Sequence, residues 1–173
     1  RSMLGLGDAI LTGKPLIGDE SFAVILADDL CIGENNSVLS QMIEIYEKYQ
    51  CCIVAIEEVN KSETKNYGVI SGLPLDESNN IFQVTEMVEK PVPEKAPSNL
   101  AIIGRYILTP DIFDIIKNTK PSYGGEVQIT DALNHLAKKN KVIALKFKGR
   151  RFDCGSIEGF IEATNYFAMK INN

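Results

Sequence analysis

The sequence predicts a mixed α/β protein. Two unbroken apolar runs, FAVILA (22–27) and CCIVAI (51–56), read as strands buried on both faces. Between them Ser37 is suited to cap an amphipathic helix running to Tyr49, with Leu39, Met42, Ile43 and Tyr46 on one face. Strand, helix and strand in this order are what a parallel sheet requires, whereas the middle of the chain turns to half-exposed β patterns and reads as an added β-layer. With 173 residues and 45% apolar content, the chain can bury one substantial core.

Gly7 to Thr12 predicts a short helix entered through GLG, ahead of the first apolar run. A polar connection, EEVNKSETKN, follows the second run. YGVI (67–70) and IFQVTEMVEKP (81–91) then read as strands around the turn-prone DESNN (76–80). LAIIGRYIL (100–108) is a further strand, and Gly104 inside it suggests a bulge or a close backbone approach. Thr109 and Pro110 predict a helix start, since threonine caps and proline suits the first turn. A helix beginning near Thr130, a strand at VIALKF (142–147) and a last helix from Ser156 to about Lys170 complete the order.

Composition narrows the function. A formal charge of −5 disfavours duplex nucleic acid as a partner, because neutralising phosphates demands a basic face. A small phosphorylated ligand remains compatible, given a few well-placed lysines and a divalent metal. No apolar stretch approaches the roughly 20 residues that cross a bilayer, and the first residues lack the apolar core of a signal peptide, so a cytoplasmic protein without a membrane partner is expected. Cys31, Cys51, Cys52 and Cys154 lack metal-site spacing, and His135 is the single histidine, so the cysteines read as reduced thiols.

Four stretches carry candidate chemistry: GLGDA (5–9), ADD (27–29), VEKP (88–91) and FDCGS (152–156). The first apolar run ends in Asp28 and Asp29, at the carboxyl end of a strand, where open α/β sheets bind ligands. The alternative is that Asp28 caps a turn and Asp29 is solvated. Glu89 and Lys90 face opposite sides of a strand unless it ends there, and Pro91 makes an ending plausible. Asp153 sits between a strand end and a helix cap. Asp28 and Asp153 together suit one magnesium ion shared with phosphate oxygens.

GLGDAILTGKPLIGDESFAVILADDL, YGVI, MVEKP, PSNLAIIGRYILTPDIF, GGEVQITDAL and RRFDCGSIEGFIEA, in this order, resemble the bacterial UTP–glucose-1-phosphate uridylyltransferases. The resemblance covers essentially the whole chain. It implies a doubly wound, Rossmann-like nucleotidyltransferase fold with a β-layer over the sugar site. It further implies Mg2+ as cofactor, UTP, glucose 1-phosphate and UDP-glucose as ligands, and a homo-oligomer. By the same resemblance Gly5 lies against the uracil, Asp28 binds the metal, and Asp153 helps bind it. Gly68 and Glu89 meet the glucosyl hydroxyls, Lys90 meets the sugar-linked phosphate, and Glu126 supports the sugar pocket. Lys90 and Asp28 are accordingly the expected catalytic residues.

The resemblance has one departure. The family's strand followed by a G-x-G-T-R loop and a downstream lysine has no counterpart here. The glycine pairs are Gly5 with Gly7 and Gly124 with Gly125, and neither follows an apolar strand. The expectation is therefore a single, N-terminally incomplete nucleotidyltransferase domain over 1–173, poorly active or inactive alone. Two other readings stand beside it: a glucose-1-phosphate thymidylyltransferase, and a noncatalytic sugar-nucleotide-binding module.

Overall fold

The computed structural model of the protein describes residues 4–171. The elements run α1 (Leu6–Thr12), α2 (Lys14–Ile17), β1 (Phe22–Ile25), β2 (Asp29–Gly33), α3 (Val38–Tyr49), β3 (Cys52–Glu58), β4 (Gly68–Pro74) and β5 (Ile81–Glu89). They continue with β6 (Leu100–Leu108), α4 (Ile112–Asn118), α5 (Ile129–Ala137), β7 (Val142–Lys146), β8 (Gly149–Asp153) and α6 (Ile157–Ile171). Six strands form a central sheet in the order β1-β6-β3-β7-β5-β4, and β2 pairs with β8 in a separate ribbon.

Local chemistry sets most boundaries where the sequence places them. Ser37 accepts a hydrogen bond from the Ser40 N–H and so caps α3, and Gln50 closes that helix in the left-handed region. Ser156 accepts from the Gly159 N–H at the start of α6. Thr109 does not cap α4 directly. Its hydroxyl donates to Asp111, and the helix begins at Ile112.

CCIVAI behaves as the apolar run requires. Cys52, Val54 and Ile56 face a core closed by α1, α4 and α5, while Ile53 and Ala55 face a second core closed by Val38 and Met42 of α3. FAVILA behaves differently. β1 lies at the edge of the sheet, its residues alternate between half-buried and exposed, and Ile25 is 53% exposed. The parallel arrangement is also only partly realised. β3 and β7 pair in parallel, but β6 inserts antiparallel between β1 and β3. A long strand from the β-rich middle thus separates the two early strands.

The added β-structure of the middle, the β4–β5 hairpin, is continuous with the central sheet through β7. It curls back far enough for Val69 to pair with Ala101 at the start of β6. β1 holds the other end of that same β6 edge, from Arg105 to Leu108. Where β1 and β4 diverge along one strand edge, a concavity opens.

Candidate active site

This concavity is a cavity of about 340 Å³ lined by residues of all four candidate stretches, including Leu6, Asp28, Gly68, Glu89, Lys90 and Asp153. The turn after β1 delivers the first acids. Leu26 N–H donates to the Gly104 carbonyl at 2.9 Å, and Asp29 N–H donates back to Leu26 at 3.3 Å. The two adjacent aspartates then part. Asp28 is exposed at the cavity wall, and the Cys154 N–H fixes its backbone carbonyl at 2.7 Å. Asp29 is buried, against the reading that would leave it solvated. It accepts from the Gly104 N–H at 2.5 Å and is paired with the Arg151 guanidinium.

Asp153 ends β8 directly opposite Asp29 in the β2–β8 ribbon. Its Oδ2 accepts from the Tyr67 hydroxyl at 3.0 Å and from Arg151 Nη2 at 3.1 Å. Its Oδ1 accepts from the Gly155 N–H at 3.2 Å. A β-carbon at Gly155 would lie 3.2 Å from Asp153 Oδ1 and 3.2 Å from Asp28 Oδ2. The two carboxylates therefore converge on one spot that a glycine leaves open.

The opposite wall is built by the β4–β5 pair. Gly68 and Glu89 are register partners. Glu89 Oε2 accepts from the Thr130 hydroxyl at 2.6 Å, and a β-carbon on Gly68 would fall 2.8 Å from that hydroxyl oxygen. Lys90 follows the last residue of β5 with φ of 44°, and its N–H donates to the Tyr67 carbonyl at 2.9 Å. This turn out of the strand lets Glu89 and Lys90 line the same cavity, which strand alternation alone forbids. The Lys90 ammonium rests 5.1 Å from the centre of the Tyr123 ring.

Gly5 and Glu126 lie beside each other at the cavity's flank. Val127 N–H donates to Leu4 O at 2.8 Å, Gly7 N–H donates to Val127 O at 2.9 Å, and a β-carbon on Gly5 would sit 2.8 Å from Glu126 Cβ. Their neighbours Leu6 and Gln128 line the cavity, whereas Gly5 and Glu126 do not. The Glu126 carboxylate accepts from the Gln128 amide at 3.3 Å.

Sequence reasoning missed Arg151, Tyr67, Thr130 and Gln128. Arg151 had a legible signal, since residues two apart on a strand share a face and Asp153 lies two residues on. Its side chain is 7% exposed and also meets Glu57 at 3.4 Å. Burial pushes the Glu57 carboxyl up despite the Arg151 charge beside it, and burial likewise pushes the Tyr67 phenol up. Tyr67 is therefore a neutral hydrogen-bond donor across ordinary pH.

The donor set fits a hard divalent cation. Both converging side chains offer carboxylate oxygens, and among the described residues no group of three acidic, histidine or cysteine side chains could hold a metal alone. Magnesium bound through one or two carboxylates plus substrate phosphates needs no more than these two.

Known proteins resemble this chain in sequence and in fold. A family model described as nucleotidyl transferase matches residues 1–170. A UTP–glucose-1-phosphate uridylyltransferase of Pseudomonas aeruginosa is 64% identical over 165 residues, which are 95% of this chain and 58% of that protein. UTP–glucose-1-phosphate uridylyltransferase 2 of Staphylococcus saprophyticus is 43% identical over 166 residues, 96% of this chain and 56% of that protein. A crystal structure of UDP-glucose pyrophosphorylase complexed with UDP-glucose superposes with a TM-score of 0.94 at 60% identity, covering 98% of this chain and 64% of the other. The chain thus spans less than two thirds of each of these relatives. The match over residues 1–170 and the shared central sheet place the chain in the nucleotidyl transferase family.

Proposed function

We propose that this chain carries the sugar- and metal-binding part of a UTP–glucose-1-phosphate uridylyltransferase. The observation that supports this reading most directly is the convergence of Asp28, Gly68, Glu89, Lys90 and Asp153 on one cavity. Identities of 64% and 43% to two such enzymes point the same way. In the proposed reaction a phosphate oxygen of glucose 1-phosphate attacks the α-phosphorus of UTP. A new phosphorus–oxygen bond forms, the bond to the β-phosphate bridge breaks, and pyrophosphate leaves without a covalent enzyme intermediate.

The residues divide this work by position. Gly68, having no side chain, leaves room for the glucosyl ring, and Glu89 accepts hydrogen bonds from its hydroxyls while Thr130 holds one carboxylate oxygen. Lys90 binds and partly neutralises the sugar-linked phosphate, leaving the Tyr123 ring to do so. Gly5 lies along the uracil, and Glu126 steadies Gln128 at the pocket's flank. Asp28 and Asp153 would hold Mg2+. When bound, that ion neutralises phosphate charge as it develops.

On the same reading residues 1–173 belong to one nucleotidyltransferase domain, and the protein works in the cytoplasm as a homo-oligomer. A net charge of −5 supports the absence of a nucleic-acid partner. Among the described residues no helix is long and apolar enough to cross a membrane. The test is pyrophosphate release by the full-length protein carrying these residues, with glucose 1-phosphate, Mg2+ and either UTP or dTTP. Turnover preferring UTP is expected. A preference for dTTP would make the protein a thymidylyltransferase, and UDP-glucose binding without turnover would make it a noncatalytic module.

A further inference from the structure

The Asp153 carboxylate is asymmetric in its surroundings. Its side chain is 40% exposed, so nothing in its burial alone fixes the plane of the carboxylate, whose terminal torsion is broad. Three donors fix it instead. The Tyr67 hydroxyl and Arg151 Nη2 both take Oδ2, while the Gly155 N–H donates to Oδ1 at 3.2 Å on the side that faces Asp28. The two donors to Oδ2 are themselves held. Arg151 is anchored by buried Asp29 and by Glu57, and its guanidinium lies 5.2 Å from the centre of the Tyr67 ring. Tyr67 is anchored through its backbone, whose carbonyl accepts the Lys90 N–H, and it immediately precedes Gly68. One residue therefore touches the acidic wall with its side chain and the sugar-facing wall with its main chain.

We propose that Tyr67 and Arg151 are positioning residues that hold Asp153 with Oδ2 tied and Oδ1 presented beside Asp28, and that they thereby set the affinity of this site for a divalent cation carried by nucleotide phosphates. The proposal rests on the reading of Asp28 and Asp153 as cation ligands. Outer hydrogen-bond partners of metal ligands are typically worth about 10–100-fold in metal affinity or activity. Arg151 has a second effect, because it offsets the charge of Asp29, Asp153 and Glu57 and keeps three acids close without mutual repulsion.

Tyr67→Phe removes one hydroxyl and leaves the ring against Arg151, so it is the variant least disturbing to the fold. Arg151→Lys keeps the charge and loses the fork that spans Asp29 and Asp153. In the full-length protein, three quantities are measured for each: the Mg2+ concentration giving half-maximal pyrophosphate release, Mn2+ binding by electron paramagnetic resonance with UDP-glucose present, and UDP-glucose binding without metal. The expected result for Tyr67→Phe is roughly a tenfold rise in both cation values, with metal-free UDP-glucose binding retained. Arg151→Lys shifts the cation values in the same direction. Unchanged cation values, with or without a loss of thermal stability, would overturn the proposal. So would a loss of metal-free UDP-glucose binding as large as the shift in the cation values, which would make Tyr67 a general support of the pocket. Asp153→Asn separates the two levels. If it raises the cation values and Tyr67→Phe does not, only the positioning role falls; if neither does, the reading of Asp153 as a ligand falls as well.

Discussion

Gly104→Ala tests whether the turn carrying Asp28 is seated on the sheet by its neighbour Asp29. Gly104 is buried in β6, and its new methyl would lie 2.7 Å from Leu26 Cβ and 2.8 and 2.9 Å from Asp29 Oδ2 and Cβ. None of these atoms is a free side-chain end, because Asp29 is held by Arg151 and by the Gly104 N–H itself. The turn must retreat, which costs about 1–3 kcal/mol of overpacking. Retreat also weakens a hydrogen bond to a charged acceptor, worth about 1.5–3 kcal/mol. The two terms overlap, so a total of about 2–5 kcal/mol is expected. With an unfolding entropy near 2.1 cal/mol/K per residue over 173 residues, this lowers Tm by about 6–14 °C. Thermal unfolding followed by circular dichroism reads the shift. The half-saturating Mg2+ concentration should rise with it, since Asp28 travels with the turn. A Tm within about 2 °C of the parent would refute the reasoning, because the turn would then yield without cost.

Three further outcomes are expected. Gly68→Ala places a methyl 2.8 Å from Thr130 Oγ1 and 3.2 Å from Glu89 Oε2, and should weaken UDP-glucose binding by calorimetry roughly 10–100-fold through the loss of a charged hydrogen bond; unchanged affinity would remove Gly68 from the sugar site. Lys90→Ala should raise the KM for glucose 1-phosphate by a similar factor, roughly 10–100-fold, with little change for UTP; an effect confined to UTP would contradict the assignment. The Asp111 carboxyl is held below its usual range: burial works to raise it, but bonds from Thr109 and Lys141 prevail. Its contribution to stability is present above the unfolded carboxylate value of about 4 and fades as pH falls through the lower folded value. Asp111→Asn should therefore lower the urea midpoint at pH 7 and flatten its acid limb, and a parallel loss at every pH would refute the linkage.

What the sequence made legible follows from how local each signal is. The helix of residues 38–49 announces itself through a cap and a one-sided apolar stripe, both contained within a few turns. β3 announces itself because both of its faces are buried, so an unbroken apolar run suffices. β2 and β8 give no such signal. DLCIG and GRRFD are short and half polar, and they become strands only because 29–33 meets 149–153 across the chain. The same distance hides the site's organisation. Arg151 and Asp29 are separated by 122 residues, and no local pattern links an arginine to an acid so far away. Edge position likewise belongs to topology, which is why FAVILA carries the composition of a central strand but pairs on β6 alone among the described residues.

The contrast between the two adjacent aspartates shows how the fold keeps one carboxylate open beside a core. A turn at a sheet edge must be fixed to carry a ligand group with useful precision, and fixing it through that group would occupy the oxygens needed for binding. Here Asp29 takes the structural role, pairing with Arg151 and accepting from the Gly104 N–H. The main chain of Asp28 takes the rest, since its carbonyl accepts the Cys154 N–H. Among the described residues none donates a hydrogen bond to the Asp28 side chain, which meets the open space at Gly155. Asp153 reaches a related compromise by a different route, committing one oxygen to Tyr67 and Arg151 and turning the other, which takes only the Gly155 N–H, toward Asp28. Arg151 serves both arrangements, because it bonds Asp29 and Asp153 across one ribbon. The predicted consequence is asymmetric: losing Asp29 should disturb stability and cation dependence together, whereas Asp28→Asn should leave Tm near the parent's and raise the cation requirement alone. A fall in Tm for Asp28→Asn as large as for Asp29→Asn, read in the same thermal scan, would show that the two acids are not divided in this way.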